Sequence, residues 1–384
     1  MADFGPVTCA GCALLCDDVT VEASSEGVRL RPECPLGTRW FSERMLRPAD
    51  APAATINGEP ADVDSALARA GELLRGARRP LVHGFDGATV EDARAAVALA
   101  DRLGAVVSTA TIRGPWPGAP AVPLRGASTG TLGEIRDRSR LLVIWREDPE
   151  TTHPRLLERL GFGGELADRT LVVVDDEDTA SARRADVRLR WPGERDLETL
   201  TALYVLQRGL ALRSAENRAE LSGLIERLRA VPHAAFVYGP GLTGGAGGQR
   251  RALALHELVR SLGHERHVIT LELPRAAGTR SADDVLAWQS GYGGSVDFAG
   301  GHPELVTATK PLDDVDVSLL VESGAARASG PDAEVWIRTA TAGVETGGTA
   351  HRLDGVPLTL QAPQPGHAPT AAALLRRLLA EIRT

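Results

Sequence analysis

The stretch Ala234-Ala235-Phe236-Val237-Tyr238 runs directly into Gly239-Pro240-Gly241-Leu242-Thr243-Gly244-Gly245. Its first five residues are apolar, which is typical of a strand that a parallel sheet buries on both faces. The glycine-rich turn is followed by helical periodicity at 249–262. A strand, a glycine turn and a helix in this order indicate an α/β fold.

The hydrophobic pattern continues this alternation in both directions, and Gly104 is expected to end one helix in the left-handed conformation. Strands are expected at 80–83, 105–108, 141–145, 170–174, 268–271, 317–321 and 335–337, and helices at 63–74, 90–103, 197–207, 221–228 and 370–382. We therefore expect a doubly wound α/β fold of mostly parallel sheets, with nucleotide-like crevices at strand ends. The expected domains are a small cysteine-rich segment at 1–48 and two α/β domains, interleaved or separate, at 55–230 and 231–384.

All four cysteines lie near the start of the chain, at Cys9, Cys12, Cys16 and Cys34, with Pro35 after the last. Three thiolates from one loop and a fourth from a later turn can surround a [4Fe–4S] cluster or a zinc ion. Two disulfides in an exported protein are a third interpretation, and a vestigial site that binds nothing is a fourth. We favour the cluster, which would also fix a segment with too little apolar material to pack unaided.

Composition argues against several classes of partner. The 384 residues carry a net charge of −8 with no basic block, so nucleic acid is a poor candidate. The sequence contains no run of about 20 apolar residues, so no membrane span is predicted. The start, Met1-Ala2-Asp3-Phe4, lacks the pattern of a signal peptide. We expect a cytoplasmic protein with reduced thiols, which disfavours disulfides.

Catalytic signatures are also missing from the sequence. The nine histidines include no H-x-x-x-H or H-x-H pair that would suggest zinc hydrolysis. No G-x-S-x-G elbow occurs, and every cysteine belongs to the N-terminal group. Hydrolysis by a zinc ion, a serine or a cysteine is therefore not expected.

Seven segments form an ordered set of motifs along nearly the whole chain. They read CAGCALLCDD at 9–18, CPLG at 34–37, RAAVALADRLGA at 94–105, TLGE at 131–134, HPR at 153–155, WQSGY at 288–292 and GGTAHRLDGVP at 347–357. Together, in this order and at these intervals, they resemble the B subunit of formylmethanofuran dehydrogenase. That family is part of the molybdopterin oxidoreductase superfamily.

The resemblance bears on redox chemistry. In active members of the family, a tungsten or molybdenum pterin reduces carbon dioxide to formate, and a cysteine or selenocysteine before a His-Gly-Pro run ligates the metal. The matching stretch here has Ile112 at the ligand position and Arg113 at the histidine position, followed by Gly114. An isoleucine side chain has no lone pair to give a metal. The resemblance therefore implies that the metal pterin is absent and that no catalytic residue is left.

Two further departures from the family agree with that loss. The family usually has a basic residue near the dinucleotide, whereas this chain has four carboxylates beginning at Asp175, which would repel a pyrophosphate. A glycine that lets the backbone approach the cofactor is replaced by Arg146. Arg146 is expected to fill the empty pocket and pair with one of those acids. The alternative is that both segments are solvated loops.

By the same resemblance, a vestigial crevice would be lined by ten residues. These are Arg113, Gly114, Arg146, His153, Asp175, Gly239, Gly241, Thr243, Gly347 and Gly348. His153 could instead cap or pack a helix. The glycine stretches at 239–248 and 343–348 resemble phosphate-cradling turns, but flexible turns have the same composition.

The departures are most like those of the degenerate B subunit of the bacterial formyltransferase/hydrolase complex. That complex moves a formyl group from formyl-tetrahydromethanopterin to methanofuran, through its D subunit, and hydrolyses it to formate in its A subunit. The resemblance implies a scaffold with A, C and D subunits as partners and C as the direct contact. The lack of a C-terminal β-barrel after Thr384 fits this expectation. A working oxidoreductase whose metal is held by pterin alone, and a free-standing iron–sulfur carrier, are the other interpretations.

Overall fold

The structure, a computed structural model, describes residues 2–46, 52–109, 122, 125–164, 168–212, 217–306, 319–322 and 333–383. Two compact units account for the chain. Unit 1 comprises Met1–Pro115 and Arg275–Thr384, and unit 2 comprises Trp116–Pro274.

Strands and helices alternate over most of the described residues. The strands are β1 (Ala2–Val7), β2 (Val19–Ser24), β3 (Gly27–Arg31), β4 (Ala54–Ile56), β5 (Glu59–Ala61), β6 (Leu81–His83), β7 (Val106–Ser108), β8 (Leu141–Trp145), β9 (Thr170–Val174), β10 (Val187–Leu189), β11 (His233–Tyr238), β12 (His267–Glu272), β13 (Ser295–Asp297), β14 (Glu304–Leu305), β15 (Leu319–Glu322), β16 (Val335–Arg338), β17 (Gly348–His351) and β18 (Pro357–Leu360). The α-helices are α1 (Pro35–Met45), α2 (Val63–Gly76), α3 (Val90–Leu103), α4 (Leu132–Arg138), α5 (Pro149–Thr152), α6 (Leu156–Arg159), α7 (Ala180–Arg184), α8 (Asp196–Gln207), α9 (Arg218–Ala230), α10 (Pro240–Thr243), α11 (Gly248–Leu262), α12 (Thr279–Ser290) and α13 (Ala371–Arg383).

Unit 2 is built on one five-stranded sheet in the order β10-β9-β8-β11-β12, with every neighbouring pair parallel. Numbered within the unit, this order is 3-2-1-4-5, so the winding direction reverses between β8 and β11. Every residue of these two strands is buried, as expected for a parallel sheet that is covered on both faces. The expected doubly wound parallel sheet thus describes unit 2.

The core of unit 2 forms where α8, α9 and α11 pack on one face of this sheet. Its largest fully buried side chains include Trp145, Trp191 and Phe236. The two tryptophan rings lie 5.9 Å apart between centroids, close enough for favourable aromatic packing. Aromatic residues are scarce in this chain, so these few rings fill much of the core between the Leu and Val side chains.

The sheets of unit 1 are mixed, which differs from the expectation of mostly parallel sheets throughout. Their orders are β1-β2-β3, β14-β13-β7-β6, β15-β16-β4-β5 and β17-β18. Among the described strands of unit 1, only β6–β7 and β15–β16 pair in parallel. Tight hairpins cause the difference. Asn57 and Gly58, for example, both have positive φ, which is the geometry of the two-residue turn that joins antiparallel strands such as β4 and β5.

Helix α3 illustrates how local sequence sets an element in unit 1. Thr89 accepts a hydrogen bond from the backbone N–H of Asp92, whose side chain accepts one from the backbone of Thr89. This reciprocal pair is a capping box, and it fixes the first turn of the helix. Gly104 ends the helix with φ 62° and ψ 37°. The predicted span of 90–103 and the left-handed glycine cap are both confirmed.

The observed division of the chain differs from the boundaries expected at 55–230 and 231–384. Strand β8 pairs along its whole length with β11, and this ladder places residues from both expected domains in one sheet. The N-terminal residues are also tied to the rest of unit 1. The backbone N–H of Thr8 donates to Gln361 Oε1 at 2.7 Å, and that of Leu353 donates to the carbonyl of Ala13. No helix among the described residues is long and apolar enough to cross a membrane.

Replacing Leu203 by alanine tests the core of unit 2. Leu203 has no exposed surface, so we expect its truncation to lower the free energy of unfolding by about 3 kcal/mol through lost burial and a cavity. Leu210, which is 61% exposed, is the matched control, and its alanine variant should change stability by less than about 0.5 kcal/mol. Urea denaturation of the full chain measures both, and equal effects would contradict the assigned core.

Candidate functional site

The carboxyl ends of β8 and β11 define the candidate site of unit 2. In open parallel sheets, ligands bind outside the carboxyl ends of the strands, at the point where the strand order reverses. Strand β8 ends at Trp145 beside Tyr238, the last residue of β11. Arg146 and Gly239 follow directly, so both sequence-predicted residues lie at the position where this fold binds nucleotides.

Arg146 fills the space beside the end of β8 with a buried charge. Its Nη1 lies 2.7 Å from Asp176 Oδ1 and its Nε lies 3.1 Å from Asp196 Oδ2. Its Nη2 also donates to the carbonyl of Trp191. The Arg146 and Asp196 side chains are only 6% and 2% exposed. Arg146 thus pairs with the acidic segment, as expected, and also with an aspartate that the sequence pattern did not indicate.

The glycine turn after β11 is packed against the loop after β8. The backbone N–H of Gly241 donates to Glu147 Oε1 at 2.9 Å. A side chain at Gly241 has no room, because a Cβ there would lie 1.7 Å from the carbonyl oxygen of Arg146. A phosphate bound by such a turn would accept a hydrogen bond from this same N–H. At this turn, the carboxylate of Glu147 is therefore the anion that the backbone binds.

The carboxylates after β9 are largely paired within the chain. Asp175 is buried and accepts a hydrogen bond from the backbone N–H of Glu177. Burial raises the pKa of Asp175 above its ordinary value, and Arg146 opposes that effect. Asp178 forms ion pairs with Arg183 and Arg188. The segment is thus held by arginines and is more than a solvated loop, although Asp176 and Asp178 keep about half or more of their side-chain surface exposed.

His153 and Thr243 have packing contacts in unit 2. His153 is fully buried, with Nε2 3.1 Å from the carbonyl of Pro274 and Nδ1 3.0 Å from Thr152 Oγ1. Thr243 donates to the carbonyl of Gly239. Both side chains stabilise the loops in which they lie, so their contacts match the packing interpretation.

The sequence-predicted glycines Gly347 and Gly348 lie in unit 1, where a Cβ on Gly348 would lie 2.6 Å from Thr89 Cγ2. The next residue, Thr349, donates from its backbone N–H and its hydroxyl to Glu91. This glycine turn is thus packed on the start of α3. Ile112, Arg113 and Gly114 lie outside the described residues.

The four cysteines form the second candidate site, in unit 1. Cys9, Cys12 and Cys16 are buried, Cys34 is partly buried, and none of these four described residues forms a disulfide. The backbone N–H of Cys9 donates to the carbonyl of Cys16 at 2.8 Å, which closes the loop. Cys34 precedes Pro35 at the start of α1. The four-cysteine metal site therefore stays a prediction from the spacing.

Two glycines allow the cysteine segments to approach each other. A Cβ on Gly37 would lie 3.0 Å from Cys9 Sγ and 2.6 Å from Leu30 Cδ1. A Cβ on Gly11 would lie 3.1 Å from the Cα of Gly37. Side chains at either position would therefore separate the loop from α1.

Burial makes the thiols of Cys9 and Cys12 poor acids, because it raises their pKa values. It raises the pKa of Cys12 to about 12, and the neighbouring Cys16 and Cys34 add to the effect. Burial likewise raises the pKa of Cys9, further increased by Cys12, Cys16 and Cys34. Four neighbouring thiolates need a metal ion or cluster to offset their mutual repulsion. Among the described cysteines, no three Sγ atoms all lie within 4.8 Å of one another.

Sequence reasoning missed Glu147 and Asp196. Glu147 could have been predicted, because Arg146 and Glu147 directly follow a fully apolar strand. Charged residues at that position lie at the carboxyl end of a strand, where parallel sheets bind ligands. Asp196 could not have been predicted, since 50 residues separate it from Arg146. Only the folded chain shows that its carboxylate accepts hydrogen bonds from both Arg146 and Trp145 Nε1.

The chain is similar to known proteins along most of its length. It is 27% identical to the B subunit of the tungsten-containing formylmethanofuran dehydrogenase 2 of Methanocaldococcus jannaschii, over 92% of each chain. It is 26% identical to the B subunit of the formyltransferase/hydrolase complex Fhc of Methylorubrum extorquens, over 85% of this chain and 97% of that one. The chain is a homologue of these B subunits. The resemblance predicted from the motifs is confirmed.

The fold also matches a solved structure. The matching chain lies in the crystal structure of the formyltransferase/hydrolase complex FhcABCD of Methylorubrum extorquens in complex with methylofuran. The TM-score is 0.70 at 25% identity, and the match covers 86% of this chain and 99% of that one. No protein-family model matches the sequence.

Replacing Asp196 by asparagine tests the ion pair at the site. The substitution keeps the shape but removes the most deeply buried carboxylate that pairs with the guanidinium of Arg146, so we expect a loss of about 3 kcal/mol in the free energy of unfolding. The matched control is Asp176→Asn, whose carboxylate is half exposed and should contribute less than about 1 kcal/mol. The double variant Arg146→Met/Asp196→Asn should recover part of the loss, because it removes both charges of this buried pair. Equal losses in the two single variants would show that burial does not distinguish these carboxylates.

Proposed function

We propose that this chain is a B-type subunit without redox chemistry that acts as a scaffold in a formyltransferase/hydrolase complex. The observation that carries the proposal is the closed strand-end crevice of unit 2. Arg146 and Glu147 occupy the position at which a parallel sheet of this order binds a nucleotide. Ile112, which cannot ligate a metal, supports the same interpretation from sequence.

The proposed complex acts in cytoplasmic one-carbon metabolism of the methylotrophic kind. It converts formyl-tetrahydromethanopterin to formate through formylmethanofuran, with transfer in the D subunit and hydrolysis in the A subunit. This chain contributes structure and contacts the C subunit. The similarity to a chain of FhcABCD supports hetero-oligomeric partners of this type.

A working formylmethanofuran dehydrogenase component is the second candidate function. The observation that favours it is the 27% identity to a protein whose name includes tungsten. In that case pterin dithiolenes alone would hold the metal. The carboxylate of Glu147 argues against this candidate, because a dinucleotide pyrophosphate would have to displace it from the N–H of Gly241.

Metal and activity assays separate the two candidates. We expect the complex isolated through a tag on this chain to contain A, C and D partners, no molybdenum or tungsten, and no activity in reducing a viologen dye with formylmethanofuran. A methanogen formylmethanofuran dehydrogenase assayed in parallel provides the positive control. Either metal at one equivalent together with dye reduction would establish the oxidoreductase. Isolation of the chain without these partners would refute the scaffold proposal.

We further propose that Cys9, Cys12, Cys16 and Cys34 hold a [4Fe–4S] cluster with a structural role. The donor set fits, since four thiolates are the usual ligands of such a cluster. A zinc ion is the other metal that four thiolates bind, and the iron and sulfide content distinguishes the two sites.

Iron and acid-labile sulfide measure the state of this site. After anaerobic reconstitution we expect about four of each per chain, and Cys12→Ser should lower both and the melting temperature of the full chain. Ser25→Ala, at an exposed position in the turn between β2 and β3, is the control that should keep both values. A folded wild-type chain that takes up neither iron nor sulfide would leave the vestigial interpretation.

A further inference from the structure

A third cluster of ligating side chains lies at the amino ends of β11 and β12 in the unit 2 sheet. The candidate site described above lies at the carboxyl ends of the strands. His233 and His267 are the first residues of β11 and β12, and they are directly paired in the parallel register of the two strands. Side chains at paired positions of neighbouring strands point to the same face. Their rings lie 4.8 Å apart between centroids, with 35° between the planes.

Glu134 on helix α4 completes the cluster. Its Oε1 lies 3.3 Å from His267 Nε2 and 3.7 Å from His233 Nε2. Among the described side chains, these three are the only group of three or more His, Cys, Asp or Glu residues whose ligand atoms all lie within 4.8 Å of one another. Ligands on a tetrahedral zinc ion are about 3.3 Å apart for bonds of about 2.0 Å. Small side-chain movements would therefore bring all three atoms into a single coordination sphere.

The environment of His233 shows that one ligand is already positioned. The residue is only 4% exposed, and its Nε2 has no hydrogen-bond partner within the described part of the chain. Its Nδ1 lies 2.8 Å from the hydroxyl of Ser139. Metal-bound histidines are usually held in this way, with the second ring nitrogen bonded to a neighbouring polar group. The buried Nε2 lies 3.7 Å from Glu134 Oε1, the oxygen that is also 3.3 Å from His267 Nε2.

We propose that His233, His267 and Glu134 bind a zinc-class divalent cation. Two imidazoles and a carboxylate are donors that zinc accepts readily, and three protein ligands leave the fourth position for water. His267 is exposed, so the ion can enter from solvent. Arg138 lies 3.6 Å from Glu134, but its side chain is 68% exposed and can move away when the cation binds.

The binding of Zn²⁺ to the full chain tests the site. We expect His267→Ala and Glu134→Gln each to weaken the binding of zinc at this site at least about 100-fold, since each removes one of its three protein ligands. His302→Ala is the matched control. His302 lies 2.9 Å from Glu304 in another exposed His–Glu pair, but no third ligand is grouped with it among the described residues.

Titration with Zn²⁺, followed by calorimetry and by metal analysis after desalting, gives the number of bound equivalents. The cysteines can bind zinc as well. The variants and the wild type are therefore compared with all four cysteines present. The wild type and His302→Ala should retain one equivalent more than His267→Ala. When Co²⁺ replaces Zn²⁺ at this site, its absorption spectrum should lack the charge-transfer band of thiolate ligands. Equal numbers of equivalents in the wild type and His267→Ala would overturn the proposal.

Discussion

The buried ion pair between Arg146 and Asp196 is the interaction on which the binding edge of unit 2 depends. Removing a guanidinium from water costs several kcal/mol unless other groups pair with it. Here Asp196, Asp176 and the carbonyl of Trp191 supply those partners. Asp196 also accepts a hydrogen bond from Trp145 Nε1. One carboxylate therefore fixes two consecutive residues at the end of β8.

The backbone at this position retains a conformation that favours glycine. Arg146 has φ 54°, in the left-handed region, which costs a non-glycine residue about 1–2 kcal/mol. The resemblance places a glycine here in the related cofactor-binding proteins. The fold has thus kept the loop geometry and filled it with a charged side chain, whose pairing offsets the backbone cost. A site that had simply become a solvated loop would have no reason to keep this φ.

The sequence predicted the elements of unit 2 well because their signal is local. The runs at 141–145 and 170–174 are apolar and β-branched, and their strands have these bounds. In unit 1 the mixed sheets were not foreseen, because pairing direction depends on turns such as Asn57-Gly58 as well as on strand composition. The cysteine set was recognisable from spacing alone. The partners of Arg146 and the grouping of His233 with His267 depend on tertiary contacts that no local pattern encodes.

The position of the cysteine loop within unit 1 bears on what a cluster would do there. Leu15 packs with Ala277, Ala350 and Leu360, so the loop shares a small core with residues far along the chain. Hydrogen bonds from Thr8 to Gln361 and Thr359 add to this attachment. The N-terminal segment also buries Val21, Leu30 and Phe41, and a cluster would fix the cysteine loop against the distant residues. Such a role requires no electron acceptor, and it is compatible with a protein whose nucleotide edge is occupied by its own arginine and glutamate.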